Sequence, residues 1–152
     1  MTDRDGTADH GFAALGTSAC WDLLPRARVG RLAWADPDGR IMVVPVNFGL
    51  DGHTVIIRTG DTSLLDAARA RTRCAFQAED LEPGLRSGWT VLLDGTLTEV
   101  ADRGMAERLG RLVEPWLRDP RPHVLVLAAT NVAGRSLRPG AGGVQVVTVE
   151  DA

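Results

Sequence analysis

With 152 residues, 44% of them hydrophobic, and a formal net charge of −3, the chain reads as one globular domain. It lacks the concentrated basic face expected of a nucleic-acid or anionic-membrane binder. All 17 basic residues are arginine and tyrosine is absent, which excludes a Walker phosphate loop, a pyridoxal Schiff base and a lysine or tyrosine acid/base.

No apolar run approaches the roughly 20 residues of a membrane span, and the start MTDRDGTADHGF lacks the features of a signal peptide. The expectation is a cytoplasmic protein with no membrane or nucleic-acid partner. Residues 1–16 read as a loose leader, 17–138 as the folded domain, and 139–152 as a glycine-rich link and tail that could add one last strand at 144–149. A helix is expected from about Thr17, carrying Cys20, Trp21, Leu23 and Leu24 until Pro25 disturbs it. Gly30 to Ala35 reads as a strand, reversed by Asp36-Pro37-Asp38-Gly39.

Arg40 to Thr59 reads as a hairpin reversed at Asp51-Gly52, a pair suited to a turn with positive φ at both central residues. A helix from about Thr62 to Arg71 follows, then a strand at Cys74–Ala78, a polar loop from Glu79 to Ser87, and a long alternating strand from Gly88 to Val100. Gly95 is a natural bend or bulge in that strand. A second amphipathic helix spans about Asp102 to Val113 with Met105, Leu109, Leu112 and Val113 on one side. An irregular connection at 118–122 leads to a strand at His123–Ala129, which Asn131–Leu137 extends or re-enters. The fold class implied is mainly β (α+β), an antiparallel split β-barrel of about six to seven strands with two to three short helices.

Chemistry concentrates at Arg58-Thr59-Gly60-Asp61-Thr62-Ser63, where a guanidinium and hydroxyls meet a helix N-terminus, the composition of an anion seat. Ordinary N-capping by Asp61 or Thr62 explains the same residues, and Asp61 and Asp66 add negative charge beside it. His123 is the weak candidate for an acid/base; a lone histidine without an evident partner is more often structural. Cys20 and Cys74 read as buried thiols, and no metal-ligand pattern is present. Trp21, Trp34 and Trp116 read as core or interface anchors.

Taken in order, Gly30-Arg31-Leu32-Ala33, Val44-Pro45-Val46-Asn47-Phe48, Ile57-Arg58-Thr59-Gly60 with Ser63-Leu64, Ser87-Gly88-Trp89-Thr90-Val91-Leu92 with Gly95, and Gly134-Arg135 resemble the pyridoxamine 5′-phosphate oxidase-like FMN-binding split barrels. The resemblance runs from about Cys20 to Leu137. It implies a homodimer with FMN in a cleft at the interface, acting on a small-molecule substrate. Val44, Pro45, Val46 and Asn47 would flank the flavin ring, and Arg58, Thr59, Ser63 and Leu64 would meet the ribityl phosphate. Trp89 and Thr90 would line the cleft. Leu64 replaces the lysine of many relatives, so Arg58 would carry more of the phosphate charge. The resemblance implies a flavin-dependent oxidoreductase. The alternative is a non-catalytic or differently loaded barrel that binds a deazaflavin, haem or another small ligand.

Overall fold

The computed structural model describes residues 12–114, 116 and 123–138. The N-terminal part of the expected leader, the connection at 118–122 and the expected strand at 144–149 lie outside the described residues. Among these residues seven strands and three short α-helices follow in chain order: β1 (Phe12–Leu15), α1 (Thr17–Leu23), β2 (Val29–Ala35), β3 (Ile41–Asp51), β4 (Thr54–Thr59), α2 (Thr62–Arg69), β5 (Arg73–Glu82), β6 (Ser87–Glu99), α3 (Arg103–Gly110) and β7 (His123–Leu137). β1 corrects the reading of residues 12–15 as leader; its alanines gave no alternating signal.

All pairings are antiparallel, in the order β1-β7-β4-β3-β2-β5-β6, and β6 also pairs with β7, which closes six strands into a barrel. β7 makes this possible because it is a single strand of 15 residues. One of its edges follows β6 from Leu125 to Leu137, while the other pairs with β4 through residues 123–128 and with β1 through 134–137. No helix among the described residues is long and apolar enough to cross a membrane.

Local chemistry explains the turns. Asp36 Oδ1 accepts from the backbone N–H of Asp38 and Arg40, and Gly39 takes φ 81°, which closes the β2–β3 reversal. The β3–β4 turn differs from the sequence reading. Asp51 pairs with Thr54, so Gly52 and His53 are the central residues, and of these Gly52 alone has positive φ, 57°. A glycine in first place with an ordinary residue second is the two-residue II′ arrangement, in place of the I′ turn that Asp-Gly suggested. The β6 register slips between Asp94 and Gly95. A Cβ on Gly95 would run into the Ala128 carbonyl oxygen of β7, so the residue permits the bulge and the close strand approach together.

Two helical elements end sooner, and one strand later, than their patterns suggest. α3 stops at Gly110, which leaves Leu109 and Val113 buried but turns Met105 and Leu112 out to 46% exposure each. β5 continues to Glu82 because Asp80, Leu81 and Glu82 pair with Trp89, Gly88 and Ser87, and the expected nine-residue loop shrinks accordingly. Polar residues on a strand edge look like loop until a partner strand is known.

The barrel interior is filled by alternate residues of every strand, including Leu32, Val55, Ile57, Phe76, Val91, Leu93, Leu97, Leu125 and Leu127, all without solvent exposure. Each such side chain contributes about 1.5–3 kcal/mol by leaving water. Phe76 meets Phe48 edge-on, with ring centroids 4.9 Å apart, and fills the space left by Gly30, whose Cβ would overlap the Phe76 ring. Both cysteines are buried and free. Burial pushes the Cys74 thiol up to about 11, against a smaller opposing pull from Arg73, and burial also raises Cys20.

At pH 8 the Cys74 thiolate fraction is therefore on the order of one in a thousand. Ellman's reagent is expected to label neither cysteine promptly in the native protein and both after unfolding; rapid native labelling would contradict this packing.

Candidate functional site

β3 changes partners along its length. Its first half, Ile41–Asn47, pairs with β2 alone, and Phe48–Asp51 pair with β4. Continuing the β3–β4 register would set Arg58 opposite Asn47 and Thr59 opposite Val46, but no pairing forms there. The strands splay, and residues 44–47 keep one backbone edge free. Pro45 sits in that half, where a missing N–H is tolerated.

A pocket of about 420 Å³ fills the wedge, lined by Val29, Val44, Pro45, Val46, Asn47, Arg58, Thr59, Asp61, Leu64, Val113 and Trp116. The size is that of a cofactor or small-ligand site. Its apolar wall comes from both flanking strands, the first turn of α2 and the segment after α3. That segment is fixed over β3 by three contacts. The Leu112 carbonyl rests where a Cβ on Gly49 would be, Asn47 Oδ1 accepts from Trp116 N–H at 3.1 Å, and Glu114 pairs with Arg28. Asn47 Nδ2 donates to the Arg28 carbonyl at 3.3 Å, so its side chain links β2, β3 and the covering segment.

The tip of α2 is partly occupied by its own caps. Thr59 Oγ1 accepts from Asp61 N–H at 3.0 Å, and Asp61 Oδ1 accepts from Leu64 N–H at 2.9 Å. Thr59 is 2% exposed, the one buried polar residue among those described. Arg58 points the other way, toward the outer face of β4. A Cβ on Gly110 would lie 3.8 Å from Arg58 Nε, so the guanidinium runs beside the end of α3 and lines a second cavity as well as the first. Among the described residues it makes no ion pair.

The structure thus brings Val44, Pro45, Val46, Asn47, Arg58, Thr59 and Leu64 to one pocket and leaves the remaining expected residues outside it. Ser63, on the far side of the first turn of α2, lines a separate cavity of about 270 Å³ with Trp34 and Asp36. Trp89 faces the barrel interior and is 7% exposed. Thr90, its neighbour on the opposite face of β6, lines an outer groove with Arg31, Ala33, Val43, Leu92 and Arg135. Two consecutive strand residues cannot share a face.

His123 does have a partner: its Nδ1 lies 3.4 Å from Glu99 Oε1, while Arg69 Nε donates to Glu99 Oε2 at 2.8 Å. The Arg69 hydrogen bond, with a smaller contribution from His123, holds the Glu99 carboxyl below its ordinary range. His123 is absent from the pocket lining, and its contacts are those of a strand-end anchor. Val29, Val113 and Trp116 complete the pocket, although the sequence assigned none of them to a ligand site. Trp116, expected as an anchor, is 66% exposed at the mouth.

A closed antiparallel barrel, split on one side to form a ligand-sized pocket, defines the class of protein. The family model for pyridoxamine 5′-phosphate oxidase matches residues 17–136, and the chain belongs to that family. It is 30% identical over 138 residues to the uncharacterized protein Rv0080 of Mycobacterium tuberculosis, across 87% of this chain and 81% of the relative. Among solved structures, the FAD binding protein of Mycobacterium smegmatis is 26% identical with a TM-score of 0.63, covering 84% of this chain and 99% of its own. A fad-binding protein of Mesorhizobium loti superposes with a TM-score of 0.72 at 22% identity, covering 84% and 98%. The FAD and heme binding protein of M. smegmatis has a TM-score of 0.62 at 21% identity, covering 93% and 77%.

Gly49→Ala would force the Leu112 carbonyl outward. An expected loss of about 1–3 kcal/mol in urea unfolding follows from overpacking; an unchanged midpoint would show that the covering segment does not rest on β3.

Proposed function

We propose that the split pocket binds the FMN moiety of a flavin and that the chain is a flavin-dependent oxidoreductase acting on a small organic molecule. The observation that carries this reading is the free edge of Val44–Asn47 facing a pocket that ends at the Arg58 guanidinium. A flavin ring needs backbone donors and acceptors along one edge and apolar surfaces against its faces; its ribityl phosphate needs a cation. The residues present fit these needs, and the flavin-binding neighbours support the reading. A haem is less well served, since no His, Cys or Met lines this pocket among the described residues to supply an axial ligand. A deazaflavin shares the ring and ribityl phosphate and would meet the same groups.

The bound flavin would supply the hydride or electron transfer itself. The chain's residues do the rest. Val29, Val44, Val46, Leu64 and Val113 exclude water from the ring, and Arg58 holds the phosphate. Thr59 and Asp61 keep the β4–α2 turn in shape, because their oxygens are already engaged by the cap. No protein acid/base is assigned, so substrate protons would come from substrate or solvent.

The reading includes a homodimer. Val43 and Leu92 are 57% and 50% exposed on the outer barrel face, in the rows Val43–Ala33–Ala75 and Pro45–Arg31–Gln77–Leu92–Ala133. Arg31 and Arg135, with Glu79 and Asp94 near them in register, put both signs of charge on that face, which suits a self-complementary surface. Pro45 belongs to this face and to the pocket wall, so a second copy seated there would border the flavin cleft.

Protein reconstituted with FMN should show flavin absorption bands at about 370 and about 450 nm; protein that stays colourless would remove the reading. Arg58→Ala should weaken FMN binding by about tenfold or more, whereas His123→Ala should leave it nearly unchanged, and equal effects would show the phosphate to lie elsewhere. Light scattering should give twice the 16.3 kDa chain mass, and Leu92→Asp should return it to one; a wild-type monomer would exclude the interfacial cleft.

A further inference from the structure

A cavity of about 270 Å³ lies between α2 and the β2–β3 reversal. We propose that it binds a small amino alcohol, with the protonated amine held by Asp36 and Asp66 and the hydroxyl accepting from the Trp34 indole N–H. The proposal is independent of the flavin reading.

The local geometry makes the space. Ser63, Asp66, Ala67 and Ala70 recur at spacings of three and four along α2 and its cap, which places them on one helical face. The two alanines keep that face thin. Opposite them lie Trp34 and Met42, register partners on β2 and β3. Asp36 enters from the reversal and Thr72 from the segment after α2.

Trp34 is the buried group that calls for a ligand. The residue is 5% exposed, yet its indole N–H makes no hydrogen bond to any described residue. Among those residues the one polar side-chain atom that is both sealed and unpartnered is Ser136 Oγ. The Trp34 donor therefore opens onto accessible space, and the cavity that Trp34 lines is that space. It needs an acceptor there, from water or from a ligand that displaces the water.

The carboxylates set the sign of that ligand. Asp36 Oδ1 accepts from the backbone N–H of Asp38 and Arg40, and Oδ2 makes no hydrogen bond among the described residues. Asp66 makes no ion pair among them, because Arg69, one turn along α2, is engaged by Glu99 at 2.8 Å. No arginine or histidine lines the cavity among the described residues. A metal ion would be short of ligands, since no three His, Cys, Asp or Glu converge among the described residues. Two carboxylates beside apolar alanine and methionine surface, with one indole donor, match an ammonium on a short carbon chain that ends in a hydroxyl.

Proton–nitrogen correlation NMR of the full chain tests the site. The four tryptophans give four indole N–H signals, and the one missing from Trp34→Phe belongs to Trp34. Propanolamine is expected to shift that signal saturably, with calorimetry giving the same affinity. Propylamine, which lacks the acceptor, is expected to bind at least about threefold more weakly, and propanol, which lacks the charge, at least about tenfold more weakly. Asp66→Asn, at an exposed helix position, should weaken propanolamine at least about fivefold, whereas Glu107→Gln on α3 should change it by less than about twofold. Circular dichroism establishes that both variants are folded. Propanol binding as tightly as propanolamine, an Asp66→Asn affinity equal to that of the wild type, or no saturable shift at Trp34 would overturn the site. FMN binding by Asp66→Asn is expected to match that of the wild type, so failure of the amine site leaves the flavin reading standing.

Discussion

The point on which the structure turns is the parting of β3 from β4. A barrel removes its edges by pairing every strand on both sides, and here six strands do so except where Ile41–Asn47 run with β2 alone. Unpaired backbone is costly when buried away from water, so a free edge inside a wedge is maintained only if solvent or a ligand reaches it. The parting coincides with the turn that ends β4. After Thr59 the chain turns into α2, and Leu64 and Leu65 draw that helix into the core. The end of β4 is thereby directed away from β3.

The same turn decides the electrostatics. Had α2 begun with a free N-terminus, its N–H groups would have formed the strongest anion site in the pocket. Asp61 satisfies Leu64 N–H and Thr59 satisfies Asp61 N–H, which stabilises the helix and places a carboxylate at its tip. Positive charge is supplied instead from the outer face, where Arg58 lies against Gly110 and α3 brings Arg103 and Arg111 alongside. Strand alternation accounts for the division: Thr59 faces inward and is buried, while Arg58, one residue earlier, must face outward.

The covering segment after α3 connects fold to site. Gly49 admits the Leu112 carbonyl, and Asn47 secures the Trp116 backbone while holding the start of β2. The Asn47 side chain is thus engaged in shaping the mouth through which a ligand would enter. In the proposed dimer the other rim would be a second copy, reached across Pro45 and Arg31.

Local signals in the chain accounted for most of its local structure, the type of the β3–β4 turn and strand β1 excepted. The Asp36 reversal, the cap at Asp61, the bulge at Gly95 and the alternation of β6 each depend on residues within a few positions of one another, and the family motifs placed Val44–Asn47 beside Arg58, Thr59 and Leu64. Contacts between distant segments were outside their reach. The extension of β5 into polar residues, the Glu99 partner of His123, the outward turn of Leu112, and the arrival of Val113 and Trp116 at the pocket all require knowing which strands lie side by side. Trp89 and Ser63 show the limit most clearly: sequence proximity to a motif placed them at the site, but a side chain's direction is set by the register and helix phase that packing imposes. The chain alone therefore determined most of the elements, β1 excepted, and the chemistry available. Tertiary structure alone decided which faces of those elements meet, because burial is a property of neighbours and most of those neighbours are remote in sequence.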